Sequence, residues 1–167
     1  MSNEAPFYQD VAEGPEQVVA TWAVAADGVR LRLAVWPTGT KGTVLLFPGR
    51  TEYVEKYGRT AGELAALGYA TISIDWRGQG LADRLIADRR VGHIGQFNDY
   101  QLDVAVMLEH AQAQGLPEPY FLVAHSMGGC IGLRSLHEEL PDISRRPRQG
   151  PRKGANMAGH SQTPHGR

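Results

Sequence analysis

An α/β fold, with a largely parallel sheet covered by helices on both faces and an antiparallel hairpin at one edge, is predicted by three observations. Short apolar runs of strand length alternate with longer segments of helical spacing. One of the runs, Thr43–Phe47, is continuously apolar, as strands buried on both faces are, and Tyr69–Asp75 is another short apolar strand. The first two extended segments meet at Asp27-Gly28, a strong signal for a two-residue hairpin turn.

Taken in order, "QVVATWAVAADGVRLRLAVWP" holds two strands, over residues 17–24 and 29–36. "GTVLLFPG" is the third, bounded by Gly42 and Pro48. "EYVEKYGRTAGELAALGYA" has helical spacing through Tyr57, Ala61, Leu64 and Leu67, and Gly68 is placed to end the helix. A strand over Tyr69–Asp75 leads into a loop rich in Arg, Gly and Asp, residues 76–97. Asn98-Asp99 is the expected N-cap of a helix over 99–114, with Leu102, Val106 and Leu108 to bury. "PYFLVAHS" is the last strand and "MGGCIGLRSLHEEL" the last helix, giving the order β-β-β-α-β-α-β-α.

Composition narrows the class. A content of 42% hydrophobic and 21% charged residues is that of a globular domain. The single cysteine, Cys130, excludes an internal disulfide framework and fits a reducing compartment, and it reads as a small buried residue on a helix. The N-terminus is acidic and lacks an apolar stretch, and no run approaches 18 apolar residues, so neither a signal peptide nor a transmembrane helix is expected. The net charge of −1 conceals two regimes. Residues 144–167 carry 6 basic and no acidic side chains and lack Leu, Ile, Val and aromatic residues, so this basic tail is expected to be disordered.

The chemistry is signalled by Ala124-His125-Ser126-Met127-Gly128, followed by Gly129. In α/β hydrolases the nucleophile occupies a strained strand-to-helix turn, usually G-x-S-x-G, whose small residues let strand and helix approach closely. Here alanine stands at the first glycine position, and the five residues fall between an apolar strand and a helix, as the motif requires. Acyl transfer also needs backbone N–H groups aimed at the developing oxyanion. The amide of Met127, directly after Ser126, is one candidate; that of Arg50, in "FPGRTEY" after the third strand, is the other.

"PGRTEYVEKY", "IDWRGQGLADRLIADRRVGHIGQFNDY" and "LVAHSMGG", three separated blocks in the right order, resemble the bacterial lysophospholipases of the inner-membrane-associated type. Those are relatives of the monoacylglycerol lipases among the serine hydrolases of the α/β-hydrolase superfamily. The resemblance covers about residues 18–141, and its P-G-R-x-E block favours the lysophospholipase branch. It implies an α/β-hydrolase fold, Ser126 as nucleophile, and Arg50 and Met127 as oxyanion donors. It also implies hydrolysis of a lysophospholipid or monoacylglycerol through an acyl-enzyme, with no metal and no organic cofactor. A small lipid ester is then the partner, met in the cytoplasm or at a peripheral membrane surface, and no nucleic acid is expected. The first alternative is another serine α/β hydrolase, of the aminopeptidase or short-chain esterase type. An alternative of a different class is a non-catalytic fragment whose basic tail binds anions.

Other residues are expected to be structural. The resemblance makes Asp75 part of a structural loop. Arg77 and Arg84 read as loop-pinning arginines or, less readily, as contacts to a phosphate head group. His125 is expected to hold the turn, because adjacent residues at a strand end point apart. His93, His110 and His137 read as loop or helix-face residues.

In this family the triad runs Ser, Asp, His along the chain, and the acid and base come from later strands. After Pro141-Asp142 the pattern breaks, so a triad Asp and His are not expected in this chain, and His160 and His165 lie in the tail. The chain therefore divides into an N-terminal extension (1–16), an incomplete α/β-hydrolase domain lacking its C-terminal strands (17–143) and the tail (144–167). The tail's Arg, Pro and Gly enrichment suits a frameshift near Ile143, which reading its nucleotides in the other two frames would test. As this truncated chain the protein is expected to be inactive.

Overall fold

Strands β1 (Val19–Val24) and β2 (Arg30–Trp36) form the antiparallel hairpin expected at Asp27-Gly28, with Gly28 at φ 86° making the turn. The structure, a computed structural model, describes residues 3–138. The basic tail, His160 and His165 and the proposed frameshift point lie outside the described residues. Strands β3 (Thr43–Phe47) and β4 (Ala70–Asp75) pair in parallel, β4 also pairs antiparallel with β2, and β5 (Tyr120–Ala124) lies parallel to the other side of β3. The sheet order is β1-β2-β4-β3-β5, so the antiparallel hairpin sits at one edge and β5 at the other.

Every residue of β3 and β4 is buried; β3 is apolar after Thr43, whereas β4 alternates Ile72 and Ile74 with the buried polar Thr71, Ser73 and Asp75. On one face Leu31, Leu33, Leu45, Phe47, Ile72 and Ile74 pack under helices α3 (Tyr100–Ala113) and α4 (Met127–His137), which contribute Val104, Met107, Ala111 and Ile131. Each such side chain contributes roughly 1.5–3 kcal/mol on burial. On the other face a smaller cluster of Ala34, Trp36, Val54 and Ala61 lies under helix α2 (Gly58–Leu67) and the 3-10 turn Val54–Tyr57 before it. Gly68, at φ 95°, ends α2 as expected.

The N-terminal extension packs against the fold. Ala5 N–H donates to Ala20 O at 3.0 Å and Trp22 N–H to Asn3 O at 2.7 Å, so residues 3–5 run along the outer edge of β1. A one-turn helix, α1 (Gln9–Ala12), then lies against Gly58, where any Cβ would collide with Ala12 O.

One expectation needs correction. Cys130 is exposed, because α4 turns that face away from the sheet while Ile131 and Ser135 face inward. Helix α2 includes Leu67, as the spacing predicts, with that side chain 60% exposed in the last turn. Asp99 is the N-cap position of α3, as expected, although its carboxylate does not cap that helix: it accepts from the Gln96 N–H at 3.0 Å, in a capping box on the 3-10 turn Phe97–Asp99 that precedes α3. Strand β5 is the outermost strand among the described residues, with Phe121 42% and Val123 46% exposed. A row of exposed apolar side chains on an outermost strand is a hazard for edge-to-edge association. No helix among the described residues is long and apolar enough to cross a membrane.

Candidate active site

Ser126 lies in the one-residue-wide junction between Ala124-His125 and α4, at φ 51° and ψ −117°. An L-residue enters this region only when its surroundings hold it there, at a cost of roughly 1–3 kcal/mol. Here the end of β3 does the holding. His125 N–H donates to Phe47 O at 3.0 Å, and Gly128 N–H and Gly129 N–H close tight turns onto His125 O and Ser126 O, each at 2.9 Å. The first turn of α4 is pressed against β3 so closely that a Cβ on Gly128 would collide with Phe47 O and come within 2.6 Å of Pro48 O. A Cβ on Gly132 would meet Leu122 at 2.7 Å. Gly129 faces open space.

A paired substitution follows from this contrast. Gly128→Ala is expected to destabilise the chain by about 1–3 kcal/mol, the usual cost of overpacking against backbone. Gly129→Ala should be neutral or stabilising by up to about 1 kcal/mol, since it only removes a helical glycine. Urea denaturation followed by tryptophan fluorescence measures both; equal effects would contradict the close packing of α4 on β3.

The loop after β3 approaches the same junction. A Cβ on Gly49 would lie 2.9 Å from His125 Nδ1. Trp76 Nε1–H donates to Pro48 O at 2.9 Å and fixes the base of the loop. The amides on either side of Arg50 are both taken by side chains: Gly49 N–H by Glu52 Oε2 and Thr51 N–H by Gln79 Oε1. Thr51 itself is at φ 62°. The Arg50 N–H and the Met127 N–H have no hydrogen-bond partner among the described residues. The two amides named from the sequence are thus unengaged, while their neighbours are not.

Glu52 organises this region and was not singled out from the sequence, where it appeared only as the last letter of the P-G-R-x-E block. Its carboxylate accepts from Gly49 N–H and Tyr57 Oη–H, each at 2.5 Å, pairs with Lys56, and lies 3.0 Å from His125 Nδ1. Burial alone would raise its pKa. The hydrogen bonds from Lys56, Tyr57 and Gly49 outweigh burial and hold the pKa down at about 2. Burial and the neighbouring Glu52 carboxylate together raise that of Tyr57. His125 therefore ties the serine turn to the loop after β3, the structural role expected of it.

The lowered Glu52 pKa has a definite sign for stability. The folded form holds this carboxylate charged more strongly than the unfolded chain, whose value is near 4.5. Its contribution is fully present above pH 4.5 and is lost as pH falls toward 2. Roughly 3 kcal/mol is the order of magnitude, less whatever solvent screening of Lys56 removes. Thermal melts between pH 2 and 6 should show this acid-side loss in the native sequence, and Glu52→Gln should flatten it within that window. Parallel pH profiles for the two proteins would contradict the assignment.

Asp75 is structural, as the family resemblance implied. Buried completely, it accepts from Arg32 Nε–H at 2.8 Å, Val54 N–H at 2.9 Å and Leu81 N–H at 2.7 Å. Arg32 also meets Glu55, at 2.7 Å and 2.8 Å. Arg77 is likewise a pin: its guanidinium joins Asp103 at 2.8 Å and Asp27 at 2.6 Å, linking the loop after β4 to α3 and to the hairpin. Among the histidines, His110 is half-buried and lies 3.2 Å from Thr21 Oγ1, with burial lowering its pKa. Among the described residues, no imidazole and no carboxylate is hydrogen-bonded to the Ser126 hydroxyl.

The family model described as serine aminopeptidase, S33, matches residues 38–146, well over half of the chain. The chain belongs to this family. Its matched region takes in the loop after β3, the Asp75–Arg77 segment and the Ser126 turn. Lysophospholipase L2 of Escherichia coli is 42% identical over 88 residues, which are 53% of this chain and 26% of that protein. Monoglyceride lipase of Saccharomyces cerevisiae is 33% identical over 112 residues, 64% of this chain and 35% of that one. The chain thus spans about a quarter to a third of the length of these curated relatives. Among solved structures, a soluble variant of the yeast monoglyceride lipase in complex with a substrate analog superposes with a TM-score of 0.55 at 31% identity, covering 69% of this chain and 37% of that one. A Pyrococcus furiosus esterase superposes with a TM-score of 0.63 over 86% of this chain and 54% of that one; at 18% identity it speaks to the fold alone. The α/β-hydrolase fold is thus present in part, in a sequence similar to lysophospholipases and monoglyceride lipases.

Proposed function

We propose that this family member carries the nucleophile half of a carboxylic-ester hydrolase site acting on lysophospholipids or monoacylglycerols. The observation that carries the reading is the backbone of Ser126, held at φ 51° between β5 and α4 beside two unengaged amides. In the proposed reaction Ser126 Oγ attacks the acyl carbonyl and transfers its proton to an imidazole base. The tetrahedral oxyanion is received by the N–H groups of Arg50 and Met127. Collapse expels the glycerol-side oxygen, which takes the proton from the imidazolium, and leaves an acyl group on Ser126. Water then repeats the sequence and releases the fatty acid. The names of the 42% and 33% identical relatives support the lipid ester as substrate. Action at the periphery of a membrane belongs to the same proposal.

The base and its orienting acid are not among the residues bonded to Ser126, and residues 144–167 contain no carboxylate side chain. We therefore propose that the 167-residue polypeptide alone hydrolyses esters at background. The test is a hybrid in which residues 1–137 are joined to the C-terminal part of E. coli lysophospholipase L2. It should hydrolyse a monoacyl glycerophospholipid or a monoacylglycerol in preference to an aminoacyl p-nitroanilide. The family's description as a serine aminopeptidase favours the reverse preference, and that outcome would replace the lipid ester by a peptide substrate.

A further inference from the structure

The loop after β4 contains two arginines that the hydrolase reading leaves unused. A recess of about 180 Å³ is lined by Thr51, Gln79 and the guanidinium-bearing residues Arg84, Arg89 and Arg90. Arg84 is fixed in place. Its Nε–H donates to Arg89 O at 3.2 Å, and its two Nη groups donate to Ala82 O at 3.0 Å and Gly80 O at 2.9 Å. Three of the five N–H groups of a guanidinium are thereby used, all on carbonyls, and two remain. Neither Arg84 nor Arg89 forms an ion pair among the described residues, whereas Arg90 is matched by Asp88 at 2.8 Å. No carboxylate lines the recess. Burial, followed by the like charge of Arg89, lowers the pKa of Arg84 and outweighs the opposing pull of the Asp75 carboxylate.

Gln79 forms part of the wall: it is 4% exposed, and its Oε1 accepts from Thr51 N–H, which ties the loop after β3 to the recess. The walls are firm: a Cβ on Gly78 would lie 2.8 Å from His93 O, and Gly78 N–H donates to Asp83 O at 2.9 Å.

From this arrangement we propose that the recess binds a phosphate group, monoester or diester, held by the free N–H groups of Arg84 and by Arg89. An anion with several acceptor oxygens relieves the repulsion between the two guanidiniums, and planar guanidinium groups suit phosphate oxygens. Thr51 lines the recess and follows Arg50 directly, so the bound group would lie beside the loop to which the oxyanion role is assigned. Identifying the phosphate as a lysophospholipid head group rests on the hydrolase proposal, whereas phosphate binding itself does not.

Binding is measured without turnover, by calorimetry and thermal shift on the full 167-residue chain at constant ionic strength. Inorganic phosphate should raise the melting temperature where chloride does not. Arg89→Glu should abolish that effect, and Arg84→Gln should weaken binding at least tenfold. Arg89 is exposed and its side chain supports no other residue, so its variant retains the fold even if that of Arg84 does not. Arg59→Gln, at an exposed arginine paired with Glu13, should bind as the native chain does. Glycerol 3-phosphate and a lysophosphatidylcholine micelle serve as the lipid-derived arms. Tighter binding of these than of inorganic phosphate identifies a head-group site, and equal or weaker binding identifies a free-phosphate site. Ser126→Ala should bind phosphate unchanged, so a failure of the hydrolase reading leaves this result standing. No phosphate-specific effect, or an effect that survives Arg89→Glu, overturns the proposal.

Discussion

Asp75→Ala is expected to lower the stability of the chain by about 3–5 kcal/mol, a large share of the roughly 5–15 kcal/mol that domains possess. Arg32 and Asp75 are 1% and 0% exposed, and the carboxylate is shared among the Arg32 guanidinium, Val54 N–H and Leu81 N–H. Deleting it leaves a buried cation with only Glu55 and the Pro6 carbonyl as partners among the described residues, and leaves the buried Val54 amide and the part-buried Leu81 amide without their acceptor. The attraction between a buried pair need not exceed the cost of burying it, but removal of one partner leaves that cost uncompensated. The effect should extend beyond stability, because Val54 begins the turn leading into α2 and Leu81 belongs to the loop after β4. Guanidinium denaturation followed by tryptophan fluorescence gives the value. A loss below about 1 kcal/mol would show that the node is not what holds these two loops against the sheet.

The second large effect is on rate. In the hybrid with a C-terminal lysophospholipase segment, Ser126→Ala is expected to reduce ester turnover by about 10⁴–10⁶-fold, to the level that binding and oxyanion stabilisation sustain without a nucleophile. In the 167-residue chain alone the same substitution should change nothing, since both proteins stand at background. The pair of measurements separates the roles. Rapid turnover by the chain alone, abolished in Ser126→Ala, would show that a base and an acid reach Ser126 without the added segment. A hybrid that hydrolyses esters equally well with and without Ser126 would remove the serine from the mechanism. Melting curves for each variant confirm that a lost rate is not a lost fold.

Most of the architecture was legible because it is written in local patterns. An unbroken apolar run marked β3, a short apolar segment marked β4, Asp27-Gly28 marked the hairpin, and Gly68 marked the end of α2. The Ser126 turn was legible for the same reason: small residues at fixed spacing between a strand and a helix. What escaped was long-range. In "RLRLAVW" Arg32 looks like an ordinary outward-facing position, and only the arrival of Glu55 and Asp75, 23 and 43 residues away, makes its burial affordable. Glu52 escaped similarly, since its partners Lys56 and Tyr57 are near in sequence but its link to His125 forms only when β5 docks on β3. Gln79 and Arg84 showed no periodicity at all, and their arrangement depends on how the loop after β4 folds back on itself. The exposure of Cys130 is a matter of phase along α4, which a single glycine-rich turn does not define.

The most direct test of the central claim, that Ser126 is the acylated nucleophile, is peptide mapping of the hybrid after reaction with a fluorophosphonate. One adduct, on the peptide containing Ser126 and absent from a folded Ser126→Ala hybrid, is the result this account predicts. An adduct on any other residue of a hybrid that hydrolyses esters, or labelling that persists in Ser126→Ala, would contradict it.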